Sequence, residues 1–408
     1  MHLTRNNDKQ KTEMNIKLTK KKVLLLLHSA IVLGISYAIV LCFGLNTTKF
    51  LSFFGVIDET GDVPMSDMYF NFEKLPLEFD TTITIVNIGL CSDRLEIAKI
   101  IKQIDSLNPK VIGLDVFFEK QKEPKIDSVL KNVILNCKKI VIPCKLKDER
   151  SEDKDKYNKI ERNFFVYEAE ENNFNEGFVN ADGKASDIIR TFTPILFLQK
   201  EKSLDTIYNF ATQVVKLYDK EKIDSLLKRP KNNELINFKP IRIKKIDIDE
   251  IKDYHDRITD KIVLIGSLLE DTHQTPTLSQ MNGTEIYAYI ISGIIAGKYT
   301  NRLDNIWTKL MNFLLCYLFT IFCWIVATKI KRGGSFFTKL TQVAILIVAF
   351  FAGRSLFNYC NIDIDYTRTI IVMGVVILIV DIYHICIIWG SKWIFKRKKT
   401  NQNEENNI

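Results

Sequence analysis

Four long apolar runs frame this chain, and a mixed α/β pattern fills the space between the first and the second. The runs cover residues 23–45, 305–328, 340–357 and 369–390, the third broken only by Arg354. Each is long enough to cross a bilayer as a helix, which needs roughly 17–25 residues. A cleavable signal peptide has an apolar core of only ~7–15 residues and a small-residue cleavage site. The first run is longer and lacks such a site, so it is expected to be an uncleaved signal anchor.

Between the runs the period of the apolar positions alternates. Thr82 to Ile88 reads as a strand. Leu95, Ile97, Ile100, Ile101 and Ile104 then recur at helical spacing, and Asn108-Pro109 ends that helix. Lys110 to Phe118 is a second strand. Asp127 is expected to cap a helix with Val129, Leu130, Val133 and Ile134 on its apolar side. Lys139 to Pro143 is a third strand. Strand, helix, strand, helix, strand predicts right-handed crossovers and a parallel sheet. Lys145 to Arg162 is charged and poor in apolar residues, which predicts a solvated loop. Asp187 to Pro194 is expected as a strand, Leu204 to Leu217 as an amphipathic helix, and Leu235 to Pro240 as a short strand-like piece. Lys261 to Gly266 closes the sheet. Its apolar run, bounded by a charge and a glycine, suits a strand covered on both faces. A polar loop follows, and then a helix from Gly283-Thr284-Glu285.

Composition adds topology. The chain has 408 residues, 57 Lys+Arg and 49 Asp+Glu, for a formal charge of +8. The excess clusters beside the apolar runs, at Lys17 to Lys22, Lys329 to Lys339 and Lys392 to Lys399. All three clusters fall on one side of a four-span arrangement, the positive-inside pattern. The basic balance therefore speaks for membrane orientation, and no nucleic-acid-binding signature accompanies it. This organisation gives a cytoplasmic N-terminal tail (1–22), a span (23–45), an extracytoplasmic domain (46–304), three further spans (305–328, 340–357, 369–390) and a basic cytoplasmic tail (391–408). Of the 8 cysteines, Cys91, Cys137 and Cys144 fall in that domain. A Cys137–Cys144 bridge and free buried thiols both fit the spacing.

Candidate chemistry gathers at strand ends, where open α/β sheets place ligands. Asp115 ends one strand, and Asp271, His273 and Thr275 follow another. The four could converge to bind a metal or a polar ligand. The favoured alternative is that Asp115 caps the next element and His273 sits on the surface. No H-x-x-x-H spacing and no G-x-S-x-G elbow occurs, so no metal, cofactor or catalytic serine is expected. Asn180 and Asp182-Gly183 suit a turn. Arg190 suits a carboxylate partner, an anion or a surface salt bridge. Asp381 and His384 lie inside the last apolar run, three apart and so on one helix face. They suit a proton relay, a hydrogen bond between spans, or a position near the inner surface.

Several of these segments resemble one family. Ile262 to Gly266, Asp271-Thr-His-Gln-Thr275-Pro276 and Gly283-Thr-Glu285-Ile286-Tyr-Ala288 are similar to the closing elements of the second type of CHASE domain. Upstream and in the same order, Val111-Ile-Gly113-Leu-Asp115-Val-Phe-Phe and Gly177-Phe-Val-Asn180-Ala-Asp182-Gly183, followed by Arg190, resemble two more of its motifs. The resemblance covers roughly half the chain. It implies an α/β extracytoplasmic sensor domain with a mostly parallel sheet, here combined with four transmembrane α-helices. Such domains are associated with cyclases and histidine kinases. It carries over no catalytic residue.

One departure stands out. Family members usually carry acidic residues after the first strand and then a Trp-Pro-rich loop, whereas this chain has Asn87-Ile-Gly89-Leu-Cys-Ser-Asp93. Any ligand contacted there is expected to differ or to be lost.

The expected protein is thus a sensor in a bacterial inner membrane. Its partners are the lipid bilayer, an unknown extracytoplasmic ligand and a separate signalling protein at the cytoplasmic face, since only a short basic tail and no effector domain follows the last span. Homodimerisation stays open. Two other classes remain in view: a tethered enzyme or binding protein using Asp115, Asp271 and His273, and a subunit working through its spans. The second is disfavoured because so few polar residues make a poor conduit.

Overall fold

The computed structural model describes residues 2–43, 65–71, 78–137, 139–150, 153–167, 174–180, 188–200, 203–230, 232–277, 280–303, 305–329 and 335–405. The connector residues Gly61, Pro64 and Pro76, the Asp182-Gly183 turn and Lys331–Arg332 lie outside these. The chain divides into two compact units, one of residues 67–301 and one of residues 1–66 with 302–408.

The first unit is an α/β sandwich. Its elements are β1 (Glu78–Asn87), α1 (Arg94–Ser106), β2 (Val111–Leu114), α2 (Pro124–Asn136), β3 (Ile140–Arg150), β4 (Asp153–Glu161), β5 (Asn175–Phe178), β6 (Ile195–Gln199), β7 (Leu204–Tyr208), α3 (Phe210–Tyr218), β8 (Ile241–Asp247), β9 (Ile262–Gly266), β10 (Thr272–Gln274), β11 (Gln280–Asn282) and α4 (Gly283–Ala296). The main sheet has the order β8-β1-β9-β2-β3-β4-β6-β7, with β5 also on β3. Strands β8, β1, β9, β2, β3 and β5 run parallel. The strand expected to close the sheet stands inside it: Ile262 pairs with both Ile83 and Val111. All five β9 residues are buried, as its unbroken apolar run requires.

Each face of the sheet carries helices. Ile97, Ile101 and Ile104 of α1 and Leu130 and Ile134 of α2 pack with Val86, Ile112, Ile140 and Ile265. On the other face, a methyl group at Gly113 would lie 3.2 Å from both Phe210 and Val214 of α3. The missing side chain lets that helix sit close to β2. Local signals fix the helix ends. The Asp93 side chain accepts from the Leu95 amide at 2.8 Å to start α1. Asn282 and Glu285 form a capping box for α4, which ends at Gly297 in the left-handed region, φ +62°.

Several elements differ from the sequence reading. The expected loop Lys145 to Arg162 is most of an antiparallel hairpin, β3–β4. Its few apolar residues, Leu146, Tyr157 and Ile160, pack on Phe178, Leu196 and Leu198. The helix expected over Leu204 to Leu217 is strand β7 followed by α3. Asn209 separates them, its side chain accepting from the Ala211 amide at 3.0 Å. Of the strand expected over Asp187 to Pro194, the described residues 188–194 form only Thr191–Phe192, paired with Glu234–Leu235. Strand β8 was not anticipated. Helix α2 begins after Glu123, which makes no side-chain cap bond, and the Asp127 carboxylate turns inward to Arg94 instead of capping it. Cys137 and Cys144 are both free thiols.

The second unit is built on four helices: His2–Cys42, Ile306–Lys329, Ser335–Cys360 and Thr367–Glu405. Each holds a segment long and apolar enough to cross a membrane: Thr19–Cys42, Ile306–Lys329, Lys339–Cys360 and Thr367–Gly390. Val32, Cys316, Phe319, Cys323, Val372 and Val376 of the first, second and fourth helices form a core, against which Ile345 and Leu346 of the third pack. The first and last helices continue well beyond their apolar segments, because the flanking Lys-, Gln- and Glu-rich sequence favours helix.

Candidate functional site

Where β2 and β9 end, the chain turns into polar segments that surround a pocket of about 390 Å³. Four of the expected residues line it: Asp115, Asn180, Asp271 and His273. Asp115 follows β2 and Asp271 lies in the loop after β9. That loop returns as the small hairpin β10–β11, which delivers the chain to the start of α4. Asp271 adopts φ +53°, the left-handed geometry an Asp tolerates in a tight turn.

Two close approaches set the geometry. A methyl group on Gly266 would lie 2.1 Å from Thr284 Oγ1, so the strand end and the helix start touch. This contact lets Thr284 donate to Asp115 Oδ2 at 2.6 Å. A methyl group on Gly283 would lie 2.7 Å from Asp271 Oδ2 and 3.9 Å from Asp115 Oδ2. Both carboxylates therefore border the same patch of helix-start backbone. His273 Nε2 sits 3.1 Å from Asp271 Oδ1.

Burial dominates the electrostatics. It raises the Asp115 carboxyl to about 6. The Thr284 hydroxyl and His273 oppose the shift, and the neighbouring Asp271 adds to it. Tyr287 of α4 lines the same pocket, and its hydroxyl is pushed well above the usual phenol value by burial and then by Asp115 and Asp271. Lys145 places its amine 4.6 Å from the centre of the Phe117 ring at the pocket wall. Phe192, Ile236, Ile286 and Ile290 make the apolar side.

The remaining expected residues have other surroundings. Asn180 spends its amide on Leu146, accepting from its N–H and donating to its carbonyl, both at 2.8 Å. Arg190 is not in the pocket wall, although Ile189 and Thr191 are; its guanidinium binds Asp67 at 2.7 Å. Thr275 is buried with its hydroxyl 2.8 Å from that of Thr277, outside the pocket. Among the described residues no cluster of three or more His, Cys, Asp or Glu could hold a metal ion. In the helical unit Asp381 pairs with Lys339 at 2.8 Å, and His384 stands edge-on to Trp324.

The segment after β1, expected to differ from the family, is tied to the loop after β9 and to β8. Asn87 accepts from the Gly89 and Leu268 amides at 3.0 and 3.1 Å and donates to Asp247 at 2.9 Å. Sequence reasoning missed Thr284, Tyr287, Lys145 and Phe117. The faint signal for Thr284 was Gly266, whose bare strand end needs a close neighbour.

A parallel sheet covered on both faces, with a pocket at its strand ends and four apolar helices in the same chain, defines a membrane-anchored α/β domain protein. The chain belongs to the CHASE2-domain family: the model of that family matches residues 67–330. The family is one of extracytoplasmic sensor domains, so this is a membrane-anchored sensor. No curated protein and no solved structure matches.

Proposed function

We propose that the pocket at the ends of β2 and β9 binds a small extracytoplasmic ligand, and that occupancy is passed through the helices to a separate signalling protein at the cytoplasmic face. The observation carrying this reading is the meeting of Asp115, Asp271 and His273 around the start of α4 in one pocket. The chain leaves α4 and enters the helix Ile306–Lys329 after residues 297–305. A ligand drawing on Asp115 or Tyr287 acts on the element that leads directly into a span.

The upstream connection has a matching arrangement. Asp67 and Asn71 belong to the short helix Met65–Asn71, which follows the first span in the chain. Asp67 binds Arg190, between pocket residues Ile189 and Thr191, and Asn71 donates to the Pro276 carbonyl at 2.8 Å. Both pocket-bordering segments thus hold the chain arriving from the first span. A ligand favouring one arrangement of these segments would shift a two-state equilibrium. The basic clusters support placing both termini in the cytoplasm and residues 46–304 outside.

The test is in-cell crosslinking from a photoreactive residue at Lys396, in the native chain and in Ile290→Trp, which fills the pocket. The expected result is reproducible capture of one cytoplasmic signalling protein, with a yield changed by the filled pocket. Capture of no cytoplasmic protein, or the same yield from both chains, would overturn the proposal.

A further inference from the structure

We propose that the ligand is a small organic ammonium, a primary amine with an apolar body, held by Asp115 and Asp271 with the Tyr287 hydroxyl. The inference rests on the reading of this pocket as the sensor's ligand site, and it adds the ligand's chemistry.

Two carboxylate oxygens at the pocket are unspent acceptors, beside the unspent donors of Lys145 and Asn209. Asp115 uses Oδ2 on Thr284, and its Oδ1 receives no donor from any described residue. Asp271, an exposed residue, has Oδ1 3.1 Å from His273 Nε2, and its Oδ2 receives no donor from any described residue. The Tyr287 hydroxyl makes no hydrogen bond with any described residue and lines the same wall. Both Oδ2 atoms border Gly283. An ammonium has three donors and no acceptor. Charge-assisted bonds of ~2.7–2.9 Å let it bridge two carboxylates around one such patch.

Other ligand classes fit less well. An anion would face two carboxylates, one of them 3.1 Å from His273. A hard metal ion wants six or more oxygens, and Thr284 already occupies one of the two carboxylates. A bare cation would also leave Phe192, Ile236, Ile286 and Ile290 without a purpose, whereas the apolar part of an amine would cover them. The pocket volume of about 390 Å³ suits a compact molecule.

Proton linkage follows from the groups that face the ammonium: Asp115 after β2, Asp271 and His273 from the loop after β9, Tyr287 from α4 and Lys145 from β3. Burial holds Asp115 at about 6. The amine needs it ionised, so binding below that pH expels one proton to solvent and weakens about tenfold per unit.

The test uses the full-length protein in detergent with benzylamine, benzyl alcohol and benzoate as matched probes. Thermal midpoints and calorimetric titrations are read at pH 5 and pH 7.5. Benzylamine alone is expected to bind, about tenfold or more weakly at pH 5, and to lose most of its affinity in Asp115→Asn. Tyr287→Phe, which keeps the ring against Phe210, is expected to weaken it several-fold. Benzylamine binding no better than benzyl alcohol, or unchanged in both variants, would overturn the ammonium proposal. Benzoate or benzyl alcohol binding that is lost in Ile290→Trp would overturn the ligand class and leave the sensor pocket standing. No probe binding, together with unchanged capture from Lys396 in Ile290→Trp, would remove both.

Discussion

Asp127 and Asp115 are two inward-facing carboxylates of one α/β unit, and their surroundings are opposite. Asp127 pairs with the guanidinium of Arg94 and accepts from the Lys122 amide at 2.7 Å. Arg94 also donates to the Lys120 carbonyl and lies 4.9 and 5.5 Å from the Phe164 and Phe118 ring centres. Both oxygens and the opposing charge are satisfied within the helical layer, and neither residue lines the pocket at the strand ends. Asp115 has one hydroxyl donor, a second carboxylate nearby and a cavity in front of it. A completed set of partners marks a structural charge, and an incomplete one at a strand end marks a place where something else can bind.

The largest expected effect lies on the completed side. Asp127→Ala leaves the Arg94 guanidinium buried and unpaired, which should cost about 3–5 kcal/mol. Thermal or denaturant unfolding should register that loss at neutral pH, and a change below 1 kcal/mol would deny the pair its structural role. Next is Gly266→Ala. The new methyl would meet Thr284 Oγ1 at 2.1 Å. The strand end and α4 must then part, at a cost of about 1–3 kcal/mol. The same unfolding measurement should show the loss together with the loss of the Thr284–Asp115 bond.

Asp115→Asn should act in the opposite direction. The native Asp115 holds its proton up to about 6, against an ordinary 3.8. Its favourable contribution is therefore complete below about pH 4 and is lost as pH rises through 6. At pH 7 the Asn variant should be the more stable by about 2 kcal/mol, an advantage that disappears near pH 4. Midpoints measured across that range check the sign; an advantage that grows toward low pH would contradict it. Thr284→Val should have the smallest effect on stability, about 1 kcal/mol for one lost hydrogen bond. It also removes a group that lowers the Asp115 value, so the infrared carboxylate band should titrate at higher pH than in the native chain.

The contrast also explains what could be read from the sequence. Strand β9 was legible because five consecutive buried positions need an unbroken apolar run. Asp115 and Asp271 were legible because strand ends are where such sheets place polar groups. Thr284 and Tyr287 were not, because their role depends on the approach of α4 to β2 and β9, set by side chains far apart in the chain. The β3–β4 hairpin was hidden for the same reason. Leu146 and Ile160 are isolated apolar positions among charges, and they acquire a core only when Leu196 and Leu198 arrive. Over Leu204 to Leu217 strand and helix periods overlap, and the one local signal separating them is Asn209 at the cap. Asp127 shows the converse, since an acidic residue near a helix start looks the same in sequence whether it caps the backbone or neutralises an arginine.

The place of β9 also constrains how the domain is made. Its neighbours β1 and β2 leave the ribosome first, and the strand that joins them follows about 150 residues after Val111. At roughly 5–20 residues per second that is a wait on the order of ten seconds or more. Until then, two apolar strand edges stand open, the arrangement that invites pairing with another chain. Biogenesis of this domain therefore calls for protection of the growing polypeptide, and a stop codon ahead of Lys261 is expected to yield insoluble fragments instead of a smaller folded domain.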